Sequence, residues 1–182
     1  MVTPVALGYE EHTRTALDTG ALEGRRVLVV DDSESSRRIL LTLLSRWGMR
    51  PRATASPREA LEWIKRGDPF DLAIVAVRLE QVGELLPIIA ANRGIPTVLF
   101  LVNDAFGAEQ FARALGPGRA VLGFPGIGGI RDGPAIKYYV LPQQPTTFGE
   151  TSGAITPRLR MLARLIAATG HRVATTVQMG GL

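Results

Sequence analysis

The chain contains no cysteine, which excludes disulfides, thiolate metal sites and thiol nucleophiles. Its only histidines, His12 and His171, lie far apart in sequence, so no local imidazole pair exists on which to build a zinc site. Lysine is nearly absent: Lys65 and Lys137 are the only two, and the other basic residues are arginines scattered among acids. Aromatic residues make up 6% of the chain, too few to interleave with those arginines. With no concentrated basic stripe, a nucleic-acid partner is not expected. No stretch reaches the roughly 18 consecutive apolar residues that a membrane span requires. The first twenty residues carry Glu10, Glu11, His12, Arg14 and Asp18 rather than a secretory pattern. The expectation is a cytoplasmic protein without a membrane partner.

What is present suffices for a core. A length of 182 residues, 46% of them hydrophobic, matches one domain. Residues 1–23 show no apolar period and mix Gly, Thr, Pro and charges, which reads as a leader or linker. The domain is expected over 24–182. From Arg26 to Val30 a short β-branched run ends in Asp31-Asp32-Ser33, and Ile39, Leu40, Leu43, Leu44 and Trp47 then recur at helical spacing up to Gly48. Arg50 to Ala55 fits a second strand. Ser56-Pro57-Arg58-Glu59 is a capping box with proline at the first helical position, opening a helix to about Arg66.

Asp71 to Val77 is a continuous apolar run of the kind buried on both faces of a parallel sheet. A helix around Val82 to Ile89 is weakened by Gly83 and Pro87. Ile95 to Val102 reads as a fourth strand, Phe106 to Leu115 as a helix, and Ala120 to Phe124 as a fifth strand. Pro125-Gly126-Ile127-Gly128-Gly129 then interrupts the alternation. Because it does not join a first strand to a helix, it reads as a loop rather than a phosphate cradle. Ala135 to Leu141 and Thr146 to Phe148 are short strands, Thr156-Pro157 caps a last helix ending at Gly170, and His171 to Thr176 closes the domain as a strand. Repeated strand–helix units predict a doubly wound, mostly parallel α/β sheet of Rossmann-like or flavodoxin-like type, with three layers and short antiparallel strands toward the C-terminus. Ligand sites in such folds lie beyond the carboxyl ends of the strands, here the loops at 31–36, 76–81, 102–107 and 123–129.

Two family resemblances follow from named residues. Gly24 through Ser33, Ala53, Glu59-Ala60-Leu61 and Asp71-Leu72-Ala73-Ile74 make residues 24–75 similar to the receiver domain of response regulators. That resemblance implies that Asp31 and Asp32 hold Mg²⁺ through hard oxygen ligands, and that an aspartate ending the third strand accepts a phosphoryl group. The acceptor position falls on Ala76, the switch hydroxyl near Leu101, and the lysine before Pro125 is replaced by Phe124. Phosphorelay by the usual route is therefore excluded. For the acidic pair, the alternative is that one acid caps the following helix.

From about Asp68 onward, Ile74-Val75-Ala76-Val77-Arg78, Pro96 to Phe100, Asn103 through Gly107, Gly123-Phe124-Pro125-Gly126, Gln143 to Thr147, Gly149-Glu150 and Thr156 to Leu159 resemble the NADP-binding domain of ketopantoate reductases. The resemblance implies that Arg78, Asn103 and Gly107 lie on the dinucleotide side, with NADP(H) as cofactor. Where that family carries G-x-G-x-x-G, however, this chain has Asp31-Asp32-Ser33-Glu34-Ser35-Ser36. Side chains there crowd a diphosphate, and three carboxylates repel it by about 1 kcal/mol per contact at 4 Å in water. The family's catalytic lysine falls beyond the position of Met179, which removes the general acid of ketone reduction, typically worth about 10² to 10⁴-fold. The expectation is a truncated, ketopantoate-reductase-like Rossmann domain without turnover, binding NADP(H) weakly or not at all. The alternatives are a degenerate receiver that docks a signalling protein, and a fusion with no selected activity.

Overall fold

The computed structural model describes residues 9–12, 22–77, 79–102, 108–116, 118–132, 135–141, 143–168 and 170–179. Among these residues, ten strands and five helices run in the order β1 (Tyr9–His12), β2 (Arg26–Asp31), α1 (Glu34–Arg46), β3 (Arg50–Thr54), α2 (Pro57–Lys65), β4 (Leu72–Ala76), α3 (Leu79–Ala91) and β5 (Val98–Leu101). They continue as α4 (Glu109–Leu115), β6 (Ala120–Phe124), β7 (Ile127–Asp132), β8 (Ala135–Val140), β9 (Thr146–Glu150), α5 (Pro157–Ala167) and β10 (Val173–Thr176). One eight-stranded sheet has the order β1-β10-β9-β6-β5-β4-β2-β3, and β7 and β8 form a separate hairpin. The strands from β3 to β6 are mutually parallel, whereas β9 meets β6 antiparallel and β1 meets β10 antiparallel. The doubly wound α/β architecture expected from the alternating pattern is the one observed.

The apolar runs work because successive side chains of a strand point to opposite faces. Leu28 and Val30 of β2 join Ala73 and Val75 of β4 in one core layer with Trp63, Val82, Leu85, Ile89 and Phe111 from α2, α3 and α4. Val27, Val29, Leu72 and Ile74 join the other layer with Leu44 of α1 and Leu159, Leu162 and Leu165 of α5. Strands buried on both sides in this way read as unbroken hydrophobic sequence.

Local chemistry sets the element ends. Ser33 caps α1, its hydroxyl accepting from the Ser36 N–H at 3.3 Å, and Gly48 ends that helix at φ +75°, a conformation that side chains disfavour. Ser56 caps α2 through the Glu59 N–H, but the reciprocal arm of the box runs through a third residue. Glu59 accepts from the Thr54 hydroxyl, which in turn accepts the Ser56 N–H at 3.0 Å. The last turn of α3 is closed from outside: Arg119 donates to the carbonyls of Ile89, Asn92 and Ile95. Burial of its guanidinium, with Arg93 nearby, lowers its pKa.

Two expectations need correction. Tyr9–His12, placed in an unstructured leader, forms the edge strand β1 on β10, and Leu22 is buried in the core. The glycine-rich stretch at 126–129, read as a loop, enters a strand from Ile127, where Gly128 pairs with Tyr139. The helix expected around Val82 to Ile89 is present, and it runs unbroken from Leu79 to Ala91 in spite of Gly83 and Pro87. Pro87 sits on its exposed side, while Val82, Leu85, Leu86 and Ile89 are buried and hold it.

Candidate functional site

The order β3-β2-β4-β5-β6 reverses direction between β2 and β4: α1 carries the chain outward to β3, and the crossover through α2 returns it to β4 on the other side of β2. Such a reversal opens a crevice beyond the carboxyl ends of the two strands, where doubly wound folds bind ligands. Asp31 ends β2, Ala76 ends β4, and the two are partners in the parallel register. Leu101 and Phe124 end β5 and β6, both half-buried. Of the four strand ends around the crevice, only Asp31 carries a polar side chain.

Asp31 is 6% exposed, and burial pushes its carboxyl above the ordinary range; the Ser33 N–H bond and the Arg37 charge oppose the shift, and neighbouring Asp32 adds to it. Its Oδ1 accepts the Ser33 N–H at 2.8 Å, closing the turn that leads into α1. Asp32, one residue on, is exposed. The expectation that an acid caps α1 is corrected, because the cap is the Ser33 hydroxyl and Asp31 braces the turn one step earlier. Arg37, one turn into α1, reaches back and donates from Nη1 to the Asp31 carbonyl oxygen at 2.8 Å. This contact was not anticipated from sequence, although an arginine four positions after a helix cap stands one turn above it and within reach of the acidic turn.

The two groups implied by resemblance can be tested against this geometry. A dinucleotide diphosphate needs free backbone N–H groups and close backbone approach at this turn. Here the Ser33 N–H is taken by Asp31, the Ser36 N–H by Ser33 Oγ and the Arg37 N–H by the Ser33 carbonyl. The anion at the amino end of α1 is the protein's own carboxylate, so a diphosphate does not fit. Mg²⁺ fits little better. The methyl side chain of Ala76, the register partner of Asp31, offers no oxygen, and among the described residues no group of three or more His, Asp or Glu is placed to hold a metal ion. Arg78, Asn103 and Gly107 lie outside the described residues, so the structure does not bring them into the crevice or exclude them from it.

A second polar cluster lies at the opposite ends of the strands' neighbours. Glu150, at the end of β9, has a side chain 1% exposed. It accepts from the Thr156 hydroxyl and from Arg158 in a two-pronged pair, with Arg158 Nε at 2.8 Å, while Arg158 also donates to the Gly118 carbonyl. Thr156 additionally caps α5. With every arm of the carboxylate engaged, this cluster ties β9, α5 and the turn before β6 together, and no arm is left to bind a substrate.

No family model matches the sequence, and no curated protein is significantly similar to it. Solved structures similar in fold fall into two groups. The 2-dehydropantoate 2-reductase of Geobacter metallireducens GS-15 superposes with a TM-score of 0.57 at 18% identity, over 84% of this chain and 58% of that one. The 2-dehydropantoate 2-reductase of Porphyromonas gingivalis W83 gives 0.57 at 15% identity, over 87% of this chain and 66% of that one. A response regulator receiver protein from Burkholderia phymatum gives 0.43 at 25% identity, over 54% of this chain and 82% of that one. The chain thus spans less than two thirds of each of these reductases. Both groups expected from sequence are among the structural neighbours, and the likeness to the reductases is one of fold.

Proposed function

We propose that the chain is a ketopantoate-reductase-like α/β domain that has given up diphosphate recognition at its switch point and performs no hydride transfer of its own. The observation behind this reading is the Asp31 turn. A buried carboxylate accepts the Ser33 N–H that an anion-binding turn would present to phosphate. NADP(H) is the ligand the fold suggests, and Arg78, Asn103 and Gly107 are the residues proposed to meet it. Without a diphosphate anchor that affinity is weak.

The register of Asp31 with Ala76 and the strand order β3-β2-β4-β5-β6 favour one other reading. That order is the flavodoxin-like one shared with receiver domains. On this reading the domain is a receiver without a phosphoacceptor that docks a signalling protein through its folded surface.

A thermal-shift titration of the whole chain with NADPH, run beside Mg²⁺ with a phosphoryl analogue, tests both. Ligand at 100 times its dissociation constant would stabilise the fold by about 2.7 kcal/mol. The expected result is no saturable shift up to about 1 mM NADPH, where a bound dinucleotide would register. A saturable shift at micromolar NADPH refutes the account of the Asp31 turn, and a shift with the phosphoryl analogue refutes the loss of receiver chemistry.

A further inference from the structure

The acidic turn raises a question that neither resemblance answers: what balances two adjacent carboxylates, one of them buried, if no metal does. Asp31 is 6% exposed and Asp32 follows it directly. Burying a carboxylate is costly unless opposite charge or hydrogen bonds compensate. The Ser33 N–H supplies one bond. The nearest cation fixed to the turn by a described contact is Arg37, whose Nη1 donates to the Asp31 carbonyl oxygen at 2.8 Å. That bond holds the guanidinium on the residue whose carboxylate needs compensation. A guanidinium keeps its charge at every working pH and presents its donors in a fixed plane, so it balances the turn permanently, whereas a metal would come and go.

We propose that Arg37 is the resident counter-cation of the acidic turn, and that its charge keeps divalent metal away from the Asp31–Asp32 pair. Three features act together. Asp31 Oδ1 is already an acceptor for the Ser33 N–H; Ala76, the register partner of Asp31, has no carboxylate to add; and a divalent cation approaching the remaining oxygens meets a fixed positive charge. At the separation of neighbouring residues one unit charge weakens a divalent cation by roughly tenfold even in water. The pair is a remnant of metal-binding chemistry that an arginine has closed.

The test is Mn²⁺ binding to the full chain, followed by the loss of the free Mn²⁺ signal in electron paramagnetic resonance, with Mg²⁺ as competitor. Wild type and Arg37→Lys, which retains the charge, are expected to bind weakly. Arg37→Gln is expected to bind about tenfold more tightly, in line with the removed unit charge, and Arg37→Gln combined with Asp32→Asn to lose that gain. Equal affinity of wild type and Arg37→Gln overturns the proposal, as does Arg37→Lys behaving like Arg37→Gln, or a gain that survives Asp32→Asn. Asp32→Asn in the otherwise unchanged chain gives a check that needs no Arg37 variant. Its Mn²⁺ response should equal that of wild type, and a loss would show that the pair was already open.

Discussion

Replacing Arg158 by alanine should destabilise this fold more than any other single exchange of a partly exposed charge. The Glu150 carboxylate is 1% exposed and Arg158 is 23% exposed, so the substitution leaves a buried charge facing only the Thr156 hydroxyl. Breaking a buried pair from one side typically costs about 3–5 kcal/mol, a large share of the roughly 5–15 kcal/mol that holds a domain together. With a urea slope of about 2 kcal/mol/M, the unfolding midpoint should fall by about 2 M, and the melting temperature by about 10 °C. Adding Glu150→Gln to Arg158→Ala removes the stranded charge and should restore about 1–2 kcal/mol, since an amide can stay hydrogen-bonded to Thr156. Urea unfolding followed by circular dichroism reads both numbers, with an unchanged slope as the control for two-state behaviour. A midpoint shift below about 0.5 M for Arg158→Ala would equal the effect of an exposed ion pair and would refute the assignment of this cluster as the tie between β9 and α5.

Acid should weaken the fold partly through Asp71. The Arg26 side chain, and then its N–H, hold the Asp71 carboxyl below its usual range. The stability this pair adds is therefore complete above the ordinary carboxylate value of about 3.9 and is lost as pH falls through the lower folded value. Asp71→Asn should flatten the pH dependence of the urea midpoint below about pH 4, and an unchanged slope would exclude the pair as a contributor. Gly126→Ala would place a methyl 2.0 Å from the Gln144 carbonyl oxygen, so backbone must move, and hydrogen exchange in β7 and β8 should rise while exchange in β2 and β4 does not. Protection that stays level across the hairpin would show that this close approach is not needed. Thermal unfolding of the chain should follow one transition, because both core layers run from β2 into α3 and α5, and two separated transitions would show that they do not act as a unit.

The strand–helix alternation was legible because β2, β4, β5 and β6 are buried on both faces and so read as unbroken apolar runs. The edge strand β1 was not. Tyr9-Glu10-Glu11-His12 needs no apolar run, since it is held by backbone pairing to β10 at the margin of the sheet. The hairpin was half legible: Ala135 to Leu141 read as a strand, while the glycines at 126, 128 and 129 hid its partner. Gly128 is acceptable inside β7 because the Tyr139 ring, opposite it in register, lies over the place a side chain would fill. The Asp-Gly dipeptide at 132–133, where the first run ends, is the sequence signal for a hairpin that could have revealed it. At the candidate site, Asp31 and Ala76 were placed from sequence at the ends of the first and third strands of the domain, and the structure makes them register partners. The Arg37 contact to the Asp31 carbonyl was not, because it depends on a side-chain direction one helical turn above the cap.

That division also explains how one chain can resemble two families in its framework and differ from both at its strand ends. The join between the resemblances falls at β4, which lies between β2 and β5 in the parallel part of the sheet. A central strand is specified by apolar side chains on each face and a register with its neighbours. Ala73 and Val75 meet α2 and α3, Leu72 and Ile74 meet α1 and α5, and Asp71 is anchored to Arg26 at the start of β2. These requirements tolerate hydrophobic residues of similar size from different origins. A ligand site at the strand ends is specified atom by atom: a carboxylate rather than a methyl at 76, glycines rather than Asp31, Ser33 and Ser36 after β2. Interchange of framework is therefore compatible with folding, while interchange at the strand ends changes the groups that a ligand would meet, and Ala76 beside Asp31 carries a methyl where the receiver resemblance implies a carboxylate.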